Sequence, residues 1–154
     1  MRLLPLFAGL LVLNVGYSAP RSEPALNAQV AESASYQVVR DFLQVFNKQD
    51  VAAMAGLVAA DVRWLSMTKD GTFKADLQGW PALEKWLGSY FSATKNVRSV
   101  ASNWNANGPY VSFTETANWT SPSGEAKHAS SLAVYEVQEG KITRIWYYPA
   151  VSTR

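Results

Sequence analysis

Few residues in this chain carry chemistry on their own. It has 154 residues with 12 Asp plus Glu, one His and no Cys. Without Cys there is no disulfide framework, thiol nucleophile, Cys-ligated metal or lipid-modified N-terminal Cys. Acid–base chemistry would have to come from carboxylates, and Glu115 is the strongest candidate. It lies mid-strand on a face shared with Val111, Phe113, Ala117 and Trp119. Apolar surroundings disfavour the charged form, so burial raises a carboxyl pKa and suits the group to hold or pass a proton. In the other reading this face is the outer one, and Glu115 meets solvent or a partner chain. Asp76, in the short run Phe73–Gln78, has a similar but weaker claim. His128 follows a turn beside Lys127 with no ligand-type residue near it in sequence, so a surface role ranks ahead of catalysis or metal binding. Asp61 reads as a hydrogen bonder at a helix end or strand start.

These residues need elements to position them. Tyr36, Val39, Leu43 and Phe46, with Val38, Phe42 and Val45 beside them, form one broad apolar face opposite Arg40, Asp41, Gln44 and Lys48. Spacings of three and four predict a helix. Residues 47–50 interrupt it, and Asp50 suits an N-cap for a second helix with a Val51, Met54, Leu57, Val58 stripe. Ala52, Ala53, Ala55, Ala59 and Ala60 favour that helix, which is expected to close at Asp61 before a strand over 62–67. Asp70-Gly71 marks a turn, 73–78 a short strand, and Gly79-Trp80-Pro81 the entry to a third helix whose apolar face is Leu83, Trp86, Leu87, Tyr90 and Phe91. From Asn96 the period changes to two. Strands are predicted over 97–105, 110–119, 128–137 and 141–148, parted by Asn107-Gly108, Ser121 to Gly124 and Glu139-Gly140. Helices followed by antiparallel hairpins define an α+β class with the helices on one face of the sheet.

Bulk properties fit one domain. The net charge is only +2, six residues are Trp, and nearly half are apolar. No Lys/Arg cluster suits phosphates or anionic lipid, so no nucleic-acid or membrane partner is expected of the mature chain. Met1-Arg2 and the apolar run 3–15 resemble a secretory signal, and Gly16-Tyr17-Ser18 places cleavage after Ser18. The run is short of the roughly 20 residues that span a bilayer. Residues 1–18 are therefore read as a signal peptide, 19–32 as a leader and 33–150 as the domain, exported to the periplasm or medium. The Asn118-Trp119-Thr120 sequon is read as coincidental.

Phe42, Phe46-Asn47-Lys48-Gln49-Asp50, Ala60-Asp61-Val62 and Trp64 stand in the order of a known pattern, and Gly79 and Glu139-Gly140-Lys141-Ile142 before Trp146 continue it. On these residues the stretch from about Ser35 to Pro149 resembles the nuclear transport factor 2-like superfamily, which includes the SnoaL-like domains. The resemblance implies a cone, a strongly bent antiparallel sheet wrapped around three N-terminal helices, enclosing a pocket. It also implies a homodimer through the outer sheet face.

The family's chemistry does not carry over residue by residue. Similarity to ketosteroid isomerases places the base at Ser66 and the oxyanion donors at Phe42 and Ala133. Ser has no basicity of its own, and Phe and Ala donate nothing. Similarity to limonene epoxide hydrolases places their Arg and two Asp at Thr116, Asn118 and Tyr147. The acidic residue of SnoaL-type polyketide cyclases also falls at Tyr147 or a neighbour. The resulting expectation is a pocket lined by Phe42, Trp64, Ser66, Trp86, Tyr90, Thr116, Asn118 and Tyr147. Such a pocket suits a small apolar or aromatic molecule and needs no cofactor or metal. Catalysis through Glu115 or Asp76 is the alternative, and a dimerising interaction module the second alternative.

Overall fold

The structure is a computed structural model that describes residues 33–152. The signal, the leader and the Ser18 cleavage point fall outside those residues. Helix α1 (Ala34–Asn47) starts at Ser33, whose side chain accepts from the Tyr36 N–H. It buries Val39, Phe42, Leu43 and Phe46, the stripe expected of a one-sided helix. Asp50 caps α2 (Val51–Met54) by accepting from Ala53 N–H at 3.0 Å.

The second helix is shorter than its alanines suggest. It tightens into a 3₁₀ turn over Ala55–Leu57, and the chain is already extended at Val58. Ala59, Ala60 and Asp61 therefore belong to strand β1 (Val58–Met67). Gly56 weakens the helix by about 1 kcal/mol relative to Ala, and pairing of Val58 with Ile142 rewards the extended form. Helix propensity loses here to a tertiary contact.

Strand β2 (Phe73–Gln78) returns beside β1 and leads into α3 (Trp80–Ala93). Gly79, at φ +80, makes that entry; its N–H donates to Val62 O at 2.7 Å, a left-handed geometry that Gly adopts without penalty. Then follow β3 (Lys95–Asn107), β4 (Tyr110–Thr120), β5 (Ala126–Gln138) and β6 (Lys141–Tyr147). The six strands lie in the order β2-β1-β6-β5-β4-β3.

The sheet is mixed rather than wholly antiparallel. β1 and β6 pair in parallel, while the other neighbours are antiparallel. A parallel pair needs a long crossover, and everything from β2 to β5 forms it. Register shifts after Trp64, in β3 at 95–98 and 102–105, and after Glu136 bend the sheet. Asn96 and Asn103 take positive φ at the β3 bulges. α1 and α3 fill the concave side, where Leu83 and Leu87 join the α1 stripe against Val111, Phe113, Tyr135 and Ile145. No helix among the described residues is long and apolar enough to cross a membrane.

Candidate functional site

Strand alternation puts Val111, Phe113 and Glu115 of β4 on the concave side, under the helices. Glu115 is 8 % exposed and lines a cavity of about 310 Å³ between α1, α3 and the sheet. Both carboxyl oxygens are engaged. The Ser99 hydroxyl of β3 donates to Oε1, and the Tyr147 hydroxyl of β6 donates to Oε2. The Tyr147 and Tyr135 hydroxyls are in turn 2.9 Å apart. Ser99 is itself held by Asn47, the last residue of α1, through two hydrogen bonds to its backbone. Asn47, Ser99, Glu115, Tyr147 and Tyr135 thus form one continuous chain across five elements, α1, β3, β4, β6 and β5.

Electrostatics follow from that burial. Desolvation pushes the Glu115 pKa above the ordinary glutamate value, against the opposing hydrogen bonds from Ser99 and Tyr147. Desolvation also raises Tyr90, Tyr135 and Tyr147, and the nearby Glu115 charge raises them further. Among the described residues no Lys, Arg or His lines the cavity, so no cation offsets a negative charge there.

One wall is aromatic. Tyr90 stacks on Trp86 at 4.9 Å, Trp86 meets Trp64 at 5.1 Å, and Trp64 stacks on Tyr147 at 4.8 Å. The elements supply these rings by their own periods: β1 brings Trp64 and Ser66, two residues apart, and α3 brings Trp86 and Tyr90, four apart. The arrangement offers flat apolar surface along one side, with a carboxyl and several hydroxyls at one end.

Of the residues singled out from sequence, Phe42, Trp64, Ser66, Trp86, Tyr90, Tyr147 and Glu115 meet at this cavity. Thr116 and Asn118 do not. They flank the inward Glu115 and Ala117, so alternation turns them to the opposite face, where Thr116 bonds Ser130 at 2.8 Å and Asn118 bonds the Thr116 carbonyl. Asp76 is exposed on β2, at the sheet edge and away from the cavity. Asp61 sits inside β1, on a polar hollow with Arg63, Glu136 and Arg144. His128 is exposed on β5. Ser99, Ser131 and Tyr135 were missed. Tyr135 was findable, since it alternates with Ala133 and Val137 on one face; Ser99 had no such signal, because Val97 and Val100 put an apolar residue on each face of β3. Among the described residues no group of three or more His, Cys, Asp or Glu could hold a metal ion.

Comparison with known proteins matches the geometry. The family model of the SnoaL-like domain matches residues 39–145. No curated protein sequence gives a significant match. Among solved structures, a nuclear transport factor 2-like protein of unknown function from Burkholderia pseudomallei is 18 % identical, with a TM-score of 0.63, over 75 % of this chain and 89 % of that one. TerC, co-crystallised with polyporic acid, is 17 % identical with a TM-score of 0.62, over 79 % of this chain and 92 % of that one. A candidate polyketide cyclase from Xanthomonas campestris pv. campestris is 21 % identical with a TM-score of 0.56, over 75 % and 90 %. At these identities the structures speak for the fold, and the family match covers the cavity's walls from α1 through most of β6. The chain therefore belongs to the SnoaL-like domain family of the nuclear transport factor 2-like superfamily.

Proposed function

We propose that this chain is exported and binds a small, flat, mostly apolar molecule in the cavity between its helices and its sheet. The observation that carries the reading is the run of packed rings from Tyr90 through Trp86 and Trp64 to Tyr147, stacked at both ends and tilted between Trp86 and Trp64, beside a pocket with one polar end. Small-molecule sites are commonly apolar clefts of about this size with a few convergent polar groups. The structural neighbour crystallised with polyporic acid supports a ligand of that general kind. Trp64 and Trp86 make the test direct. Titration with 2-ethylnaphthalene should quench tryptophan fluorescence saturably, and Trp86→Ala should weaken that response. An unsaturable, variant-independent signal would refute the reading.

A second reading is favoured by Glu115 itself. A carboxyl with a raised pKa at the polar end of a cavity can protonate or deprotonate a bound molecule. The chain would then be a superfamily enzyme of the isomerase, hydrolase or cyclase type. The candidate polyketide cyclase among its neighbours supports this. Turnover of any substrate should vanish in Glu115→Gln, and an unchanged rate removes the reading.

The outer sheet face carries a hollow lined by Phe73, Tyr110, Val134, Trp146 and Tyr148, with Leu132 46 % exposed on the same side. Apolar surface of this kind supports a homodimer through the sheet.

A further inference from the structure

We propose that Tyr135 is the residue that reads the polar group of the ligand, and that the proton on Glu115 decides whether Tyr135 offers it a hydrogen or a lone pair. This rests on the cavity being a ligand site and concerns what that site selects.

Consider the charged carboxylate first. Ser99 donates to Oε1 and Tyr147 donates to Oε2. Having spent its one proton, Tyr147 can only accept at its contact with Tyr135, so Tyr135 donates inward. Only lone pairs of the Tyr135 oxygen then remain for the cavity that this residue lines.

Now add one proton to Glu115. Among the described residues the Ser99 hydroxyl bonds only Glu115, so moving the new proton to Oε1 would leave a buried Ser99 hydrogen without an acceptor. The proton therefore sits on Oε2 and donates to Tyr147. Tyr147 must turn its own hydrogen to Tyr135, and the Tyr135 hydrogen is released toward the cavity. One proton reverses both bonds between Glu115 and Tyr135, while Ser99 keeps donating to Oε1 and the heavy atoms stay in place.

The surroundings allow this and do not compete with it. Glu115 faces Ser99 from β3, Tyr135 from β5, Tyr147 from β6 and Tyr90 from α3. α1 and β1 meet the cavity with phenyl, indole and serine hydroxyl groups, which do not titrate. No cation lines it among the described residues, so the neutral carboxyl is the form its environment favours. The ligand class follows: a neutral molecule presenting a hydrogen-bond acceptor, such as a ketone or quinone carbonyl, bound while Glu115 is protonated.

Two matched probes test it. 2-Acetylnaphthalene carries one acceptor and no donor, and 2-ethylnaphthalene has the same shape with neither. Dissociation constants for both are measured between about pH 4 and 9. The ketone should bind about tenfold more weakly above the Glu115 titration than below it, the worth of one well-placed hydrogen bond, while the hydrocarbon is unaffected. Tyr135→Phe should abolish the slope for the ketone. Glu115→Gln keeps an N–H on Tyr147 and should hold the ketone at its low-pH affinity throughout. A flat ketone profile in the unaltered chain overturns the proposal, as does a slope that survives in Tyr135→Phe or Glu115→Gln. Failure of 2-ethylnaphthalene to bind at any pH instead removes the ligand-site reading, and the proposal with it.

Discussion

Asn47 holds the backbone of Ser99 from both sides. Its Oδ1 accepts from the Ser99 N–H at 2.7 Å, and its Nδ2 donates to the Ser99 carbonyl at 2.8 Å. The end of α1 is thereby locked to β3 at the residue whose hydroxyl reaches Glu115. An amide fits this place because it donates and accepts at once, as a peptide group does.

Asn47→Ala leaves both Ser99 backbone groups without that partner. The expected loss is about 1–3 kcal/mol of unfolding free energy, measured by urea denaturation. Asn47→Asp keeps the acceptor but has no donor for the carbonyl, so its loss should also be clear. Wild-type stability in Asn47→Ala would show that β3 is held without the clasp.

The two buried glutamates give opposite pH dependences. Burial raises Glu115 above its ordinary pKa, so in the interval between unfolded and folded values the folded chain binds more protons. Its contribution to stability is complete below the unfolded value and is lost as pH rises through the folded one. At Glu136, 3 % exposed, burial also pushes upward, but bonds from Thr143 and Gln138 and the charge and bond of Arg144 outweigh it, and the pKa is lowered. That contribution is present above the unfolded value and lost as pH falls through the folded one. Stability should therefore peak near the ordinary glutamate pKa as far as these two groups decide it. Glu115→Gln should remove the alkaline decline and leave the acid one, which a series of melting temperatures against pH would reveal.

Trp86 bridges Tyr90 and Trp64 in the aromatic wall, lying nearly parallel to Tyr90 at 8°. Trp86→Ala should weaken 2-ethylnaphthalene about tenfold, since loss of one stacking surface removes both contact area and the ring interaction. Calorimetry on the variant and on Trp86→Phe, which restores a ring, checks it. Equal affinity in all three chains would place the ligand elsewhere.

On the outer face Trp146 pairs with Val134 and lies 6.4 Å from the Tyr110 ring. A charge at this point cannot be buried cheaply against a second copy. Trp146→Asp should convert a dimer into a monomer by sedimentation while leaving binding in the cavity intact. An unaltered mass, dimeric or monomeric, would exclude the outer face as the contact.

For export, the chain recovered from a secreting bacterial host should begin at Ala19 by N-terminal sequencing. Recovery of the intact Met1 terminus in the cell-associated fraction would contradict cleavage after Ser18.

Local physics made much of this protein legible in its residues. The period of α1, the Asp50 cap, the Gly79 entry and the shift to alternation after Asn96 all depend on near neighbours, and these four features stand where those patterns put them. Grouping of Glu115 with Val111, Phe113 and Ala117 was equally local, because alternation assigns residues to a common face. Which face was inner was not local: it depended on where α1 and α3 pack, and the answer turned Thr116 and Asn118 away from the cavity. Helix propensity at Ala59 and Ala60 likewise gave way to pairing of β1 with β6, two strands that are distant in the chain and parallel only because a long crossover joins them. The Ser99–Glu115–Tyr147 contact spans three strands, with sequence separations of 16 and 32 residues. No periodicity reports such a contact, because side chains on different strands meet only once register and curvature are set. The sequence determined the elements and the kinds of group available, and tertiary packing decided which of those groups share a cavity.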